Sequence, residues 1–560
     1  MSDWRHRFPA IYAEEQRFWA RKGFEETKDE RGRVGFRGTI TVRRKAHQGL
    51  ELRDFLLSFD YPAGFPHVQP RVRFIEPRIE GSRHQAPGRD GAPCLFPPRL
   101  WDLQTGPGEL YEATRRWLGH HLAGDFPREL AHYELPAYFP PSGEAVLLSA
   151  EAMLGFAEER AGGAFFLVPL LGHPISVLES VDGRRVGGGL LDALADRKLR
   201  GERRPVKWYR LDTEPKPINT SRPLEQILAE SGHMAGFGHD PKNRRNSVGL
   251  VFPDQVFQEE RLLIVDVAVC EKDSPQTILK GRTVRAPEIH VVSRERMQRR
   301  IEAVRPLARL REKSVACFGL GAIGSHLAPA LTREGVGSLV LCDPDRLRPG
   351  NVVRHFLDLT AVGQGKALAM ETAVERINPE IRTGAQEANL DDPGVIATAI
   401  RGADLVIAAI GEEPAEELLF EVICEAEEPP AFLCVRTLHG GDAFRVFVVR
   451  PGLDACLGCL RAYKDEGAEE WIEVPDGELG EVQEEGCATS ALPGAGLAFA
   501  QAAGFAAARA LDLLEGRDPG ANHWLWVERP IPGADSRLAE PLSLHKATFG
   551  PRPGCPVCGA

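Results

Sequence analysis

The chain has 560 residues, of which 43% are hydrophobic and 27% charged, and carries a formal net charge of −11. That length accommodates about two to four domains, each with its own core. The acidic balance argues against a general nucleic-acid-binding face. No stretch approaches the roughly 18 uninterrupted apolar residues of a membrane span.

Charges run through the N-terminal MSDWRHRFPAIYAEEQRFW, which therefore does not read as an export signal. The expectation is a cytoplasmic protein, in which 11 cysteines serve metal binding, thiol chemistry or packing rather than a disulfide scaffold. Residues 1–145 open with an amphipathic helix, Phe8, Ile11, Tyr12, Phe18 and Trp19 recurring at roughly helical spacing. GFRGTITVRR, LELRDFLLSF and PRVRFIEP read as strands, the last two separated by the turn chemistry of DYPAGFPHVQP. A second helical pattern, ELYEATRRWLGHHL, closes an α+β domain with an antiparallel sheet.

Residues 146–300 carry the strand-like runs AFFLVPLL, PISVLESV, RRPVKWYRL, SVGLVF and RLLIVDVAVC, with one short helical run, PLEQILAESG. The expectation is an α/β middle domain. Its Gly-rich loop GHMAGFGHDPKNRRN holds His233 and His239 beside Asp240, a candidate metal pair or simply a solvated turn. Residues 301–560 follow a charged helix, RERMQRRIEAVRPLARLREK. They then read strand, Gly-rich turn, helix and strand through SVACFGLGAIGSHLAPALTREGVGSLVLCD, a βαβ unit and hence a parallel sheet wrapped by helices.

Gly319, Gly321 and Gly324 form GxGxxG between an apolar strand and a helix, and Asp343 closes the next strand. Such glycines let backbone approach a phosphate, the helix N-terminus supplies free N–H groups, and Asp343 can accept from ribose hydroxyls. The chain continues with Asp345, Asn351, Arg354 and Lys366. A guanidinium and an ammonium aimed at one pocket suit a triphosphate and a leaving pyrophosphate better than a hydride-transfer site. Either cation is alternatively an ordinary surface charge.

The run from Val315 to Pro379 resembles the ThiF/MoeB/E1 family of ATP-dependent adenylating enzymes: GxGxxG, an Asp-x-Asp strand end, Asn-x-x-Arg, then a Lys before a helix ending in Asn-Pro. The resemblance implies Mg2+ and ATP, a protein substrate whose C-terminal carboxylate is adenylated, and a homodimer. By it, Gly319, Gly321, Gly324, Asp343, Asp345, Asn351, Arg354 and Lys366 stand at motif positions. Two positions depart. His355 stands where Gln is frequent, and Gly411, in ADLVIAAIGEE, stands where a magnesium-binding Asp is usual, leaving Glu412 or Glu413 as candidate replacements.

Cys456, Cys459, Cys555 and Cys558 have the C-x2-C…C-x2-C form of a structural Zn2+ site with a closed shell. Cys487, in EEGCATSALPGAG, is surplus to them. Its polar flanks favour exposure over plain packing, and a helix follows whose N-terminus would lower the thiol pKa, with Glu484 and Glu485 opposing. Attack of its thiolate on an acyl-adenylate would give an enzyme thioester.

The N-terminal segment supplies an acceptor. FDYPAGFPHVQPRVRFIEP, His84, Gly91, Cys94, Trp101 and a following helix resemble the ubiquitin-conjugating (E2) fold, with Cys94 at the thioester position. Arg83-His84-Gln85 replaces the His-Pro-Asn turn, so Gln85 is the candidate for the missing Asn. Together the resemblances imply a bacterial E1–E2 fusion, similar to the fusion proteins of CBASS anti-phage operons. Its activated partner is then a cGAS-like nucleotidyltransferase or a ubiquitin-like modifier, and its final acceptor a target amine. A sulfur-carrier adenylyltransferase with an N-terminal docking module, and a nucleotide-binding scaffold, remain as alternatives.

Overall fold

The computed structural model describes residues 4–46, 49–79, 84–86, 91–96, 101, 105–127, 135–139, 141–156, 159–194, 200–215, 245–254, 259–268, 284–305, 307–387, 392–475, 482–483, 490–491, 494–531 and 535–558. Contacts divide the chain into two units, Met1–Leu191 with Ala195–Val292, and Ser293–Ala560 with Asp192–Leu194. His233, His239, Asp240 and Cys487, with the expected helix PLEQILAESG, lie outside the described residues.

In the first unit Pro9 divides the expected opening helix into α1 (Trp4–Arg7) and α2 (Pro9–Arg21), since a proline fits best in the first turn of a helix. Four antiparallel strands follow as a meander in chain order: β1 (Glu25–Lys28), β2 (Val34–Ala46), β3 (Gly49–Asp60) and β4 (Arg71–Glu76). Their inward residues, among them Phe36, Ile40, Leu57 and Phe59, close over Trp19. Helix α3 (Pro107–Ala123) begins on Pro107 and stops at Gly124, whose φ of 70° a side-chain-bearing residue rarely adopts. Beneath Trp19 lies a carboxyl: the Trp19 indole donates to Glu15 at 2.8 Å and to the Tyr61 hydroxyl at 2.9 Å, and Tyr61 donates to Glu15. Burial pushes the Glu15 carboxyl up to about 7, against the opposing pull of the Tyr61 and Trp19 bonds.

The middle region is all but purely β. Its strands are β5 (Pro141–Ser149), β6 (Gly162–Pro169), β7 (Ile175–Val181), β8 (Arg184–Arg185), β9 (Arg204–Arg210), β10 (Arg245–Pro253), β11 (Glu260–Ala268) and β12 (Val284–Val292). They pair in the order β5-β12-β11-β10-β9-β6-β7-β8, and β5 pairs β7 as well. That last pairing closes seven of them into a barrel with β8 appended. The expected α/β character is thereby corrected: among the described residues the only α-helix inside this run is α4 (Gly188–Leu194). Alternation along the strands sends Val146, Phe165, Leu178, Trp208, Val251 and Ile264 to one core and Leu250, Phe252, Leu263 and Val265 to the opposite face. The turn Leu135–Tyr138, through Leu135 with the adjoining Phe139, covers that opposite face.

In the second unit the charged lead-in forms α5 (Arg294–Glu302) and a single turn, α6 (Leu307–Leu310). One sheet of eight strands has the order β15-β14-β13-β16-β17-β18-β21-β22. Strands β13 (Ser314–Phe318), β14 (Ser338–Cys342), β15 (Arg382–Gln386), β16 (Leu405–Ala408) and β17 (Ala431–Leu438) are parallel. Strands β18 (Ala443–Val449), β21 (His523–Val527) and β22 (Ser543–Ala547) complete it antiparallel. The short hairpin β19 (Val482–Gln483) and β20 (Ser490–Ala491) stands apart. Both sheet faces are covered, one by α7 (Gly324–Arg333), α8 (Lys366–Ile377) and α12 (Gly496–Leu514), the other by α9 (Pro393–Ala399), α10 (Glu413–Cys424) and α11 (Leu457–Asp465).

Helix α12 is long and apolar enough to cross a membrane by length and composition, although Gln501, Arg509 and Asp512 interrupt its apolar run. Its stripe Ala502, Ala503, Ala506, Ala507 and Ala510 is buried in the core that α7 shares, small side chains permitting close approach. β14 and β16 flank β13, so successive crossovers leave in opposite directions and open a crevice at the carboxyl ends of these strands.

Because the folded Glu15 titrates near 7 and an exposed glutamate near 4.3, this group favours folding below about pH 4 and loses that contribution as pH rises through 7. Glu15→Gln retains an acceptor and removes the ionisation. Melting curves should show the wild type falling by several degrees relative to the variant between about pH 5 and 8.

Candidate active site

The crevice is lined by residues that each strand end delivers. Gly319 follows β13 with φ +83°, and a Cβ there would stand 2.5 Å from the Ala409 carbonyl. At Gly324, the first residue of α7, a Cβ would meet the Gly319 oxygen at 1.9 Å. These two glycines are demanded by the turn itself. At Gly321 a Cβ would meet nothing within 4 Å, so contacts within the protein do not require a glycine there.

Asp343, ending β14, is buried and organises the turn. One oxygen accepts the Leu320 N–H at 2.7 Å, the other the Asp345 N–H at 2.9 Å. Burial raises its pKa, while Lys366 and the two N–H groups pull it down. Lys366 is the first residue of α8; its ammonium lies 2.7 Å from Asp345 and 3.7 Å from Asp343. The structure thus joins Gly319, Gly324, Asp343, Asp345 and Lys366 in one contact network. The Asp345 side chain is 68% exposed and the Asp343 side chain 7%. The Lys366 side chain is itself only 9% exposed, so its ammonium is held between one buried and one exposed carboxylate.

Asn351 and Arg354 belong to the 3-10 turn Pro349–Arg354, where the Asn351 side chain accepts the Arg348 N–H at 3.1 Å. Asn351 therefore shapes the turn that carries Arg354. Gly496 opens α12 against this turn: a Cβ would stand 2.5 Å from the Val353 carbonyl.

At the end of β16, Gly411 has φ +81° and donates its N–H to Glu416 at 3.1 Å. Glu416 is fully buried and paired with Arg436, which donates to Glu413 at 2.6 Å. Of the two glutamates expected to replace the missing aspartate, Glu413 is thus committed to Arg436 and Glu412 is exposed at the start of α10. The described residues of this turn do not assemble a carboxylate site for magnesium. Sequence reading passed over Glu416 and Arg436. The available signal was an arginine inside the otherwise apolar strand AFLCVRTL.

Cys94 sits half-buried in the loop between β4 and α3. Its N–H donates to the His84 carbonyl at 2.7 Å and Ala86 N–H to the Ala92 carbonyl at 2.7 Å, flanking the bridge between Gln85 and Pro93. The Gln85 amide donates to the Ile79 carbonyl at 2.8 Å and the Gly91 carbonyl at 2.6 Å. Both amide hydrogens are consumed inside the loop, so Gln85 braces the cysteine and has no hydrogen left to polarise a thioester carbonyl. The His84 ring stacks on Phe126 with centroids 4.1 Å apart. Tyr138, from the turn that covers the barrel, donates to the Gln85 carbonyl at 2.7 Å. Trp101 donates to the Pro66 carbonyl at 2.9 Å.

The four remaining motif cysteines converge. Cys456 lies 3.5 Å from Cys459 and 3.4 Å from Cys555, Cys459 lies 3.7 Å from Cys558, and all four sulfurs fall within 4.8 Å of one another. Tetrahedral zinc with Zn–S near 2.3 Å requires sulfurs about 3.8 Å apart, so the donor set fits. Backbone N–H groups of Cys459 and Arg552 point at two of the sulfurs, at 3.3 and 3.2 Å, as suits thiolates. Gly458 is required here, since a Cβ would stand 2.7 Å from Val557 on the opposing tail.

Residues 292–527 match the model of the ThiF family. This is a ThiF-family domain. Among relatives, ubiquitin-like modifier-activating enzyme 5 of Caenorhabditis briggsae is 24% identical over 218 residues, 34% of this chain and 50% of that protein. The ATP-dependent ubiquitin transferase-like protein Cap2 of Enterobacter hormaechei subsp. hoffmannii is 33% identical over 105 residues, 19% of this chain and 18% of that one. The chain spans half or less of the length of these curated relatives. The solved structure of E. coli MccB with ATP covers 45% of this chain and 68% of its own, at 17% identity and a TM-score of 0.34, a value that carries no structural argument.

Elemental analysis of the purified chain should find one zinc, lost in Cys456→Ser. Removing the ion leaves the buried thiols uncompensated, so a strong chelator should lower the melting temperature of the ThiF-family domain by roughly 10 °C. No bound metal and no response to chelator would refute the zinc assignment.

Proposed function

We propose that this chain uses ATP to activate the C-terminal carboxylate of a protein and relays the acyl group through two of its own thiols to an amine. The observation that carries the reading is the crevice of the ThiF-family domain. A glycine turn open at Gly321 lies beside Asp343, and Lys366 is held in part by an exposed carboxylate that phosphate can displace. Carboxylate oxygen attacks the α-phosphorus and pyrophosphate leaves, its charge stabilised by Lys366 and Arg354. Asn351 shapes the turn bearing Arg354, and Asp343 and Asp345 hold the ammonium in place.

The Cys487 thiolate then attacks the acyl carbon and AMP leaves; the Cys94 thiolate displaces Cys487 in a transthiolation; finally an amine, a lysine of the target, displaces Cys94 to give an amide. Support for Cys94 as acceptor comes from the helix–meander–helix order around it and its half-buried position on a braced loop. The ubiquitin transferase-like relative favours a bacterial conjugation system, and we assign the activated partner as a cGAS-like nucleotidyltransferase in an anti-phage operon. Magnesium accompanies ATP in this reading as its counter-ion. A cytoplasmic homodimer is the assembly we infer.

The test is a non-reducing gel with ATP and such a nucleotidyltransferase, alongside ATP–pyrophosphate exchange. Thiol-sensitive adducts should form on the wild type, remain on Cys487 alone in Cys94→Ala, and disappear in Cys487→Ala, with exchange retained in both variants. Conjugation that survives Cys94→Ala would reduce the N-terminal segment to a docking module. Absence of exchange in the wild type would sink the adenylation itself.

A further inference from the structure

His355 is the motif position at which this chain carries imidazole in place of the frequent carboxamide. Its ring is buried at 7% exposure. Nε2 lies 2.7 Å from the Leu320 carbonyl and Nδ1 3.0 Å from the Leu357 nitrogen. The Leu357 N–H can only donate, so Nδ1 must present its lone pair and the ring proton belongs on Nε2, donated to Leu320. Leu320 is the residue between Gly319 and Gly321. Its own N–H is held by Asp343 at 2.7 Å. Both polar groups of this one residue are therefore fixed, one by the residue that follows β14 and the other by the residue that follows the turn Pro349–Arg354.

We propose that His355 is a positioning residue for nucleotide: through the Leu320 carbonyl it sets the conformation in which the glycine turn offers its backbone to phosphate. The inference rests on the reading of the crevice as a nucleotide site. What the position requires is one donor and one acceptor on a short planar group. A neutral imidazole and a carboxamide both meet that requirement, which accounts for their interchange here.

The ring must also stay neutral, because a second N–H would confront the Leu357 N–H. Burial presses its pKa down to about 4, and the facing Lys366 ammonium and His326 ring press it the same way, while the Leu320 carbonyl opposes them. Asp343 faces the other side of Leu320, and Arg354 precedes the ring in the chain. A folded value below the free one means that the clamp is intact at every pH above about 5.

The experiment measures the dissociation constant of a fluorescent ATP analogue with the full chain, alongside thermal unfolding. His355→Gln should bind within about twofold of the wild type. His355→Glu, of the same shape but without the donor, and His355→Leu, without either group, should weaken binding by about tenfold or more while the protein remains folded. Wild type and His355→Gln should keep parallel affinities from pH 6 to 8. Wild-type affinity in the Leu variant, or equal loss in the Gln and Glu variants, would overturn the positioning role. A wild type that binds no analogue would instead overturn the nucleotide site.

Discussion

A single peptide residue, Leu320, gathers the ends of three chain segments: its N–H is held by Asp343 and its carbonyl by His355, while Gly319 before it abuts Ala409. The crevice of the second unit is organised around that arrangement. The parallel strands deliver their carboxyl ends to one edge, and the crossovers diverge there, so backbone that would otherwise need side-chain partners is left facing a crevice. Asp343 makes this possible at a cost. A buried carboxylate must be compensated, and two N–H groups with one ammonium supply the compensation. The same ammonium is the one proposed above to meet a phosphate, so in that reading the turn and the anion site share one ion network.

The Gly411 turn follows a different logic. A guanidinium, Arg436, occupies the neighbourhood in which a metal ligand was expected, and its charge is balanced by Glu416 below and Glu413 above. Breaking such a buried pair by removing one partner is far more costly than its net contribution suggests, because the survivor is left uncompensated. Both carboxylates are therefore committed to one guanidinium, an internal ion network in which neither Glu413 nor Glu416 is left over as a ligand, in keeping with the lack of an assembled carboxylate site among the described residues there.

Much of this was legible in the sequence where one rule acted alone. The βαβ run from Val315 onward, the meander strands of the first unit and the pairing of two C-x2-C motifs each follow from periodicity or spacing, and the elements lie where those rules put them. Legibility failed where tertiary context decided. β5, in PSGEAVLLS, is rich in helix-forming residues and gains strand character only from its two neighbours in the barrel. β12 contains Pro287, which argues against a strand, yet the ladder shifts register between Ala286 and Glu288, so the missing N–H falls at a bulge. Barrel closure itself is a long-range pairing with no local signature. Whether Gln85 replaces the missing Asn stays open in the sequence, because residue type alone does not reveal that its amide hydrogens are spent on Ile79 and Gly91.

The barrel also changes what the middle region means. As an open spacer it would have only length and stiffness to contribute. As a closed barrel it has an inner core and a second apolar face, and the segment that covers this face, anchored by Leu135, carries Tyr138 to the Gln85 carbonyl. The Cys94 loop is consequently braced from outside its own sheet as well as from within. A loop with small, turn-forming residues on both sides of its cysteine has little packing of its own, and loops of that kind open most readily. Tying its backbone to a folded neighbour lowers the entropy to be lost on binding, which under the proposed relay would favour docking of an acyl donor. Within the first unit the middle region is thus more than a spacer, because its covering segment bonds to the backbone of the loop that holds Cys94.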